Sequence, residues 1–218
     1  MRVNVYRDIY LPLWQAHGPQ GWWPLLSLAD KRMMDQGRYT GYHSGCYDFP
    51  RTEEERFEIC VGAILTQNTA WINVEKALRK LSESALLTPS AIFEAPHEQL
   101  SDLIRPSGYY NVKSRKLREF SSFFQRLQGH EPSREQLLSV WGVGEETADS
   151  ILLYAYKKTE MVVDAYTKRI LASFGLVDPG MKYQEVKTIC QCDLPRDLAV
   201  YQEFHALMVA EGKNSSMA

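Results

Sequence analysis

Apolar and polar positions recur along most of this chain with the period of a helix. Thr52-Glu53-Glu54-Glu55 reads as a capping box. Behind it Phe57, Cys60, Val61 and Ile64 follow the i, i+3, i+4, i+7 spacing of one helical face, and Ala63 and Leu65 widen it. A polar break, Gln67-Asn68-Thr69, separates this central helix from a second one with Val74, Ala77, Leu78 and Leu81 on one side. Thr88-Pro89 is an N-cap followed by proline at the first helical position, and Pro96 opens another short helix. Residues from about Tyr110 to Gln128 form a basic amphipathic helix. Ser133 to Gln136 is a second capping box, Ala148, Ile151, Leu152 and Ala155 mark another buried face, and a last helix runs from about Arg196 into Glu211. Met161-Val162-Val163 is too short to seed a sheet, so the pattern predicts an all-α fold with short connections.

One stretch departs from this pattern. Ser27 to Pro50 carries Tyr39, Tyr42 and Tyr47 with Gly37, Gly41 and Gly45 among polar residues, and predicts a loop-rich insertion with one short helical piece near Leu28 to Gln36. The tail from Gly212 to Ser216 is expected to fray.

Composition changes little. The 218 residues are 44% hydrophobic and 24% charged, enough for one large domain or two small ones. Twenty-five basic against 27 acidic side chains give a net charge of -2, which argues against a general polycation but leaves room for a local basic face. Cys46, Cys60, Cys190 and Cys192 lack the paired spacing of a zinc site, so neither a metal nor a cofactor is expected. With no apolar signal core and no uninterrupted membrane-length stretch, the expected setting is the reducing cytoplasm, without membrane contact.

Two local features carry chemistry. Leu137 to Ala148 places Gly142-Val143-Gly144 between two short helices. The glycines allow a tight turn, and the free N–H groups of the second helix suit a phosphate. An ordinary helical hairpin with a glycine cap has the same pattern. Asp164 follows three apolar residues and precedes a helix. It is a natural N-cap, and a fixed anion beside a phosphate-binding hairpin also suits chemistry that develops positive charge.

The segment from Phe57 to Lys213 resembles the helix-hairpin-helix DNA glycosylase superfamily, in its endonuclease-three-like branch. Leu65-Thr66-Gln67-Asn68-Thr69, Gly142-Val143-Gly144-Glu145-Glu146-Thr147-Ala148 and Val163-Asp164 carry the likeness, with Ile104 to Lys113 as a fourth motif. The resemblance implies a two-lobed helical fold with the DNA site between lobes. Residues 1–56 with 165–218 are expected to form one lobe, which holds the insertion at about 27–50. Residues 57–164, with the hairpin, are expected to form the other. The resemblance makes Asp164 the catalytic aspartate. It puts Gln67 in the gap left by a flipped base, beside Asn68, and assigns Gly142, Gly144, Thr147 and Lys113 to DNA contact. The bland readings are a polar helix end for Gln67 and a solvated face for the helix with Lys113, Arg115, Lys116 and Arg118. A DNA reading expects Lys113, Arg115, Lys116, Lys168 and Arg169 to gather near one cleft.

Two departures narrow the branch. Members that also nick the strand use a lysine nucleophile in the hairpin motif, and that slot holds Glu146. A carboxylate cannot form a Schiff base with C1′. Lys157, Lys158 and Lys168 lie outside the slot. Many members hold a [4Fe–4S] cluster through four cysteines after the last helix, and the sequence here carries none beyond Cys192. Together with Gly21-Trp22-Trp23-Pro24, these departures resemble the small 3-methyladenine glycosylases. The expectation is a monofunctional enzyme, without lyase activity, that excises alkylated purines such as 3-methyladenine in base excision repair. It acts as a monomer on damaged duplex DNA. Trp22, Trp23 and Trp71 are candidates for an aromatic base pocket, where a cationic base stacks favourably, with core packing as the alternative for each. A glycosylase for a mismatched or oxidised base, and a non-catalytic DNA-binding module, are the competing readings.

Overall fold

The computed structural model describes residues 2–31, 33–35, 38–40 and 42–214. In chain order, π-helical turns over Val5–Tyr10 run into α1 (Leu11–His17), and a 3-10 segment covers Leu26–Lys31. A small antiparallel hairpin follows, β1 (Met33–Asp35) and β2 (Arg38–Thr40), with Met33 opposite Thr40. Then come α2 (Glu53–Leu65), α3 (Trp71–Glu83), α4 (Pro89–Glu94), α5 (His97–Leu103) and α6 (Tyr110–Leu127). The series ends with α7 (Arg134–Leu138), α8 (Glu145–Ser150), α9 (Ala165–Ser173), α10 (Tyr183–Asp193) and α11 (Leu198–Asn214).

The all-α expectation holds for the architecture, with the β1–β2 hairpin as a local exception. The helical piece expected over Leu28 to Gln36 is met by the 3-10 segment as far as Lys31, and Met33–Asp35 is strand instead. A stretch without an apolar face at helical spacing gains more by pairing backbone with backbone. Gln36, Gly37 and Gly41 lie outside the described residues, as do Ser215 and Ser216 of the tail. Gly212 to Asn214, by contrast, continue α11.

The chain divides into two compact units, but at other boundaries than the sequence suggests. One unit is Met1–Pro24, Leu28–Asp48 and Leu152–Ala218; the other is Leu25–Ser27 and Phe49–Ile151. Residues 152–163 therefore pack with the terminal segments and not with the hairpin. The reason is local: Leu152 to Tyr156 and Met161 to Val163 are buried, and their apolar side chains join the core around α11. In that helix Tyr201 to Val209 is buried without interruption, and α9 packs against it with Ile170 and Leu171.

The unit built on residues 49–151 follows the expected helices closely. Thr52 accepts the Glu55 N–H, while the Glu55 carboxylate reaches one residue further back than a capping box requires, to the Arg51 N–H. The Ser133–Gln136 capping box is complete. Phe57 of α2 meets Phe124 of α6 edge-on at 5.0 Å, and Phe120 lies beside it. Each such side chain contributes about 1.5–3 kcal/mol on leaving water.

A charged side chain sits at the heart of this unit. Lys113 is only 2% exposed. Its Nζ donates to the Leu65 carbonyl at 2.8 Å, the Thr69 hydroxyl at 2.7 Å and the Ser107 carbonyl at 2.7 Å. Burial and the neighbouring Lys116 charge push its pKa down to about 8, but three acceptors take the three protons that only the ammonium carries. The assignment of Lys113 to DNA is thereby corrected: the amine ties the end of α2 to the turn before α6 and offers no proton to a phosphate. Lys113→Met is expected to lower stability in urea denaturation by about 3 kcal/mol, because three buried acceptors lose the ammonium donor. A loss under about 0.5 kcal/mol, the range of a surface substitution, would contradict this role.

Candidate functional site

Asp164 caps α9. Its Oδ1 accepts from the Thr167 N–H and the Thr167 hydroxyl, both at 2.7 Å. The residue is 9% exposed, at the end of the buried run Met161-Val162-Val163. The cap occupies one carboxylate oxygen. The other, Oδ2, lies 3.8 Å from His205 Nε2. His205 Nδ1 is 2.8 Å from the Tyr154 hydroxyl, and Trp22 stands edge-on to the His205 ring at 5.5 Å. Within this one unit the expected aspartate and the expected tryptophan loop therefore meet through His205, a residue not anticipated from the sequence.

The Trp22–Trp23 loop is held from beneath by Glu203 of α11. Its carboxylate accepts the Gln20 N–H at 2.7 Å, the Gly21 N–H at 3.0 Å and the Tyr47 hydroxyl at 3.2 Å. Burial pushes the Glu203 pKa up, and these three donors oppose it. The end of the insertion completes the support. Tyr42 N–H bonds the Gln20 carbonyl at 3.0 Å, and His43 bridges the Cys46 and Trp23 carbonyls. Gly21 has φ +60°, and a Cβ there would stand 2.4 Å from the His43 carbonyl carbon, so no other residue fits. The described part of the insertion is thus a platform for the tryptophan loop. Trp23 itself is 5% exposed and meets Tyr154 in the core at 5.1 Å, the rings tilted by 58°, while Trp22 is half-buried and edge-on to Trp23 at 6.0 Å. Trp71, the first residue of α3, is half-buried and belongs to the other unit.

The hairpin lies in that other unit. Arg134 of α7 clamps buried Asp149 with Nε at 2.6 Å and Nη2 at 3.2 Å. This bidentate pair fixes the two helices of the hairpin to each other. Gly142 has φ +88°, and a Cβ there would stand 2.5 Å from the Lys116 side chain. Gly144 differs from Gly142: its φ of −98° is extended, and it caps α8 without a side chain, in open space. Gln67 is anchored to the hairpin, donating to the Gly142 carbonyl at 3.1 Å and the Thr147 hydroxyl at 2.9 Å and accepting from Lys116 at 2.5 Å. The Thr147 side chain is buried and positions Gln67 instead of facing outward. Asn68 is exposed with φ +53°, and Glu146 is exposed on the first turn of α8.

The basic residues divide between the units. Arg115 is exposed over Trp141 at 4.1 Å, and Lys116 is half-buried beside it on α6. Lys168 and Arg169 belong to α9 of the other unit, where they bond the Met181 and Gly212 carbonyls. Exposed Tyr109, Val112 and Trp141 in the hairpin unit had no signal beyond their residue type. His205 and Glu203 had one. Gln202, Glu203 and His205 are polar residues in the run Tyr201 to Val209, which is otherwise apolar and aromatic, where each demands a partner.

Comparison with known proteins accounts for this arrangement. Residues 61–196 match the model of the HhH-GPD superfamily base excision DNA repair proteins. The chain belongs to that superfamily. A Methanocaldococcus jannaschii protein, provisionally named a DNA repair glycosylase, is 38% identical over 97% of this chain and 89% of its own length. Endonuclease III of Thermotoga maritima is 35% identical over 69% of this chain and 71% of its own. Among solved structures, Helicobacter pylori 3-methyladenine DNA glycosylase bound to 1,N6-ethenoadenine is similar at a TM-score of 0.66, with 29% identity over 73% of this chain and 85% of that one. The protein is thus a DNA glycosylase of the base excision repair superfamily.

The iron–sulfur cluster of some superfamily members does not fit these cysteines. Cys60 and Cys190 are buried in helices of different units, with Cys190 pushed up to about 12 by burial. Among the described residues no three His, Cys, Asp or Glu side chains converge as metal ligands. No helix among them is long and apolar enough to cross a membrane.

Glu203→Gln tests the platform. It puts an NH2 where a carboxylate oxygen now accepts a backbone N–H, and should cost about 2 kcal/mol with loss of near-ultraviolet dichroism from the tryptophans. An unchanged aromatic spectrum would contradict the supporting role.

Proposed function

We propose that this glycosylase is monofunctional and excises alkylated purines, 3-methyladenine foremost, from damaged duplex DNA. It hydrolyses the N-glycosidic bond and leaves an abasic site. The observation that carries this reading is Asp164: a buried carboxylate with one oxygen fixed by Thr167 and the other 3.8 Å from His205 Nε2, whose ring meets Trp22 edge-on. A preorganised anion there favours the positive charge that develops on the sugar as the base departs, because it needs no reorganisation at the moment of reaction. An N3-alkylated adenine already carries positive charge and leaves without a general acid. The face of an electron-rich indole attracts such a base, and half-buried Trp22, edge-on to the core tryptophan, is the ring proposed for it. The H. pylori relative adds weight, since its name specifies the same base.

Glu146 supports hydrolysis over strand nicking. It stands exposed at the slot where nicking members carry a lysine, and no carboxylate forms a Schiff base. In the other unit, the Gly142–Gly144 turn and the N–H groups of the helix behind it would hold phosphate. Gln67 would leave its bonds to Gly142, Thr147 and Lys116 to occupy the space of the flipped base. Arg115 and Lys116 add cationic contacts to the backbone, a role that makes binding salt-dependent.

Asp164→Asn keeps the helix cap acceptor and removes the charge. On a duplex bearing 3-methyladenine its single-turnover rate should fall about a thousandfold while the Kd for an abasic-analogue duplex stays within about twofold. Borohydride should trap no covalent protein–DNA adduct with the wild type. A trapped adduct, or excision by the variant at the wild-type rate, would refute the hydrolytic reading.

A further inference from the structure

Behind Asp164 stands a buried pair to which hydrolysis by the aspartate alone gives no role. His205 is 5% exposed and Tyr154 1%. The Tyr154 hydroxyl lies 3.0 Å from the Gln202 carbonyl and 2.8 Å from His205 Nδ1. A carbonyl only accepts, so the tyrosine proton goes to Gln202. The second contact is then a hydrogen bond when Nδ1 carries a proton and donates it to the tyrosine oxygen. Burial holds the His205 pKa below its ordinary 6.5 against the opposing pull of Asp164. At neutral pH the ring is therefore the neutral Nδ1–H tautomer, and Nε2 presents a lone pair. That lone pair and Asp164 Oδ2 face each other at 3.8 Å. Two acceptors so spaced do not bond each other, but they suit one donor between them, and water carries two hydrogens.

We propose that His205 is a second catalytic residue. Its Nε2 and Asp164 Oδ2 together hold the attacking water, and Nε2 takes the proton that this water loses. The proposal rests on the hydrolytic reading of Asp164. In the step, the water oxygen bonds to C1′ while the C1′–N bond breaks. Its electron pair leaves with the base, which departs neutral when the base was a cation. The water proton passes to Nε2, and Asp164 remains a carboxylate facing the imidazolium as it forms. Tyr154 is a positioning residue that sets the tautomer, and the edge-on Trp22, at 84° to the ring, fixes its plane.

The titratable groups bearing on the ring are Asp164, at the start of α9, and Tyr154, after α8. Tyr154 is pushed far above the working range by burial and by Glu203 and Asp164, so it keeps its proton. Glu203 lies on the same helix as His205, and Lys213 interacts with Asp164. As pH falls through the lowered His205 pKa, Nε2 gains a proton, turns from acceptor to donor and bonds Asp164 instead of water. The rate should therefore be flat at neutral pH and fall through one acid limb below 6.5.

Single-turnover release of 3-methyladenine across that range, with wild type, His205→Gln, Tyr154→Phe and Asp164→Asn, decides the matter. His205→Gln should lose about a hundredfold at neutral pH, the contribution of a general base, and lose the acid limb, with abasic-analogue binding within about twofold. Tyr154→Phe should lose about tenfold and keep the limb. A wild-type plateau or a wild-type acid limb in His205→Gln overturns the proposal. If that variant fails to fold, a wild-type plateau in Tyr154→Phe overturns it instead. Loss of activity in Asp164→Asn beside an unchanged His205→Gln removes only the histidine, whereas full activity in Asp164→Asn removes the hydrolytic reading itself.

Discussion

The two oxygens of Asp164 have different tasks, and the surrounding unit is organised by that division. Oδ1 accepts both the N–H and the hydroxyl of Thr167, which starts α9 and locks the carboxylate. Oδ2 is left to face His205. For the second oxygen to stay in place, α9 must pack firmly on α11, and it does so through Ile170 and Leu171 against a helix buried on all sides. The same α11 carries Glu203, whose carboxylate holds the backbone of the tryptophan loop. One helix thus supplies both the partner of the aspartate and the support of the aromatic ring beside it.

The hairpin unit is held by a different set of contacts. Bidentate pairing of Arg134 with Asp149 fixes the hairpin. Buried Lys113 fixes the polar break by joining the Leu65 carbonyl at the end of α2 to the Ser107 carbonyl before α6. Gln67 then rests on the Gly142 carbonyl and the Thr147 hydroxyl. On the proposed reading, a move of Gln67 toward DNA would break those bonds to the hairpin.

Much of this was legible in the residues. Helical spacing placed α2, α3 and α6, and caps placed the starts of α4 and α7, because these signals are local. The aspartate was legible for the same reason: an N-cap is recognised from its immediate neighbours. What stayed hidden depends on contacts distant in sequence. Lys113 reads as a surface cation because nothing near it announces three carbonyl and hydroxyl acceptors from other segments. Trp22 and Trp23 are indistinguishable in sequence, yet Trp23 is core while half-buried Trp22 meets His205, since burial of each ring is set by contacts to segments far along the chain. Residues 152–163 read as part of the hairpin lobe because they continue its helix, but burial assigns them to the other unit. The insertion read as loop because its strands carry too few apolar residues to signal a sheet, and its supporting role rests on backbone bonds to Gln20 and Trp23.

Glu146 and the site around Asp164 point the same way. On the proposed reading the glycosidic bond breaks by hydrolysis without a Schiff base in the hairpin, and a fixed anion with an aromatic neighbour best serves a base that is already cationic before it leaves. That preference is the central claim, and competition between lesions tests it most directly. Free base released in single turnover from otherwise identical duplexes bearing 3-methyladenine, 7-methylguanine, mismatched thymine or thymine glycol would be compared at one enzyme concentration. The account predicts faster release of the two cationic purines than of either neutral pyrimidine. Faster release of thymine or thymine glycol would contradict it.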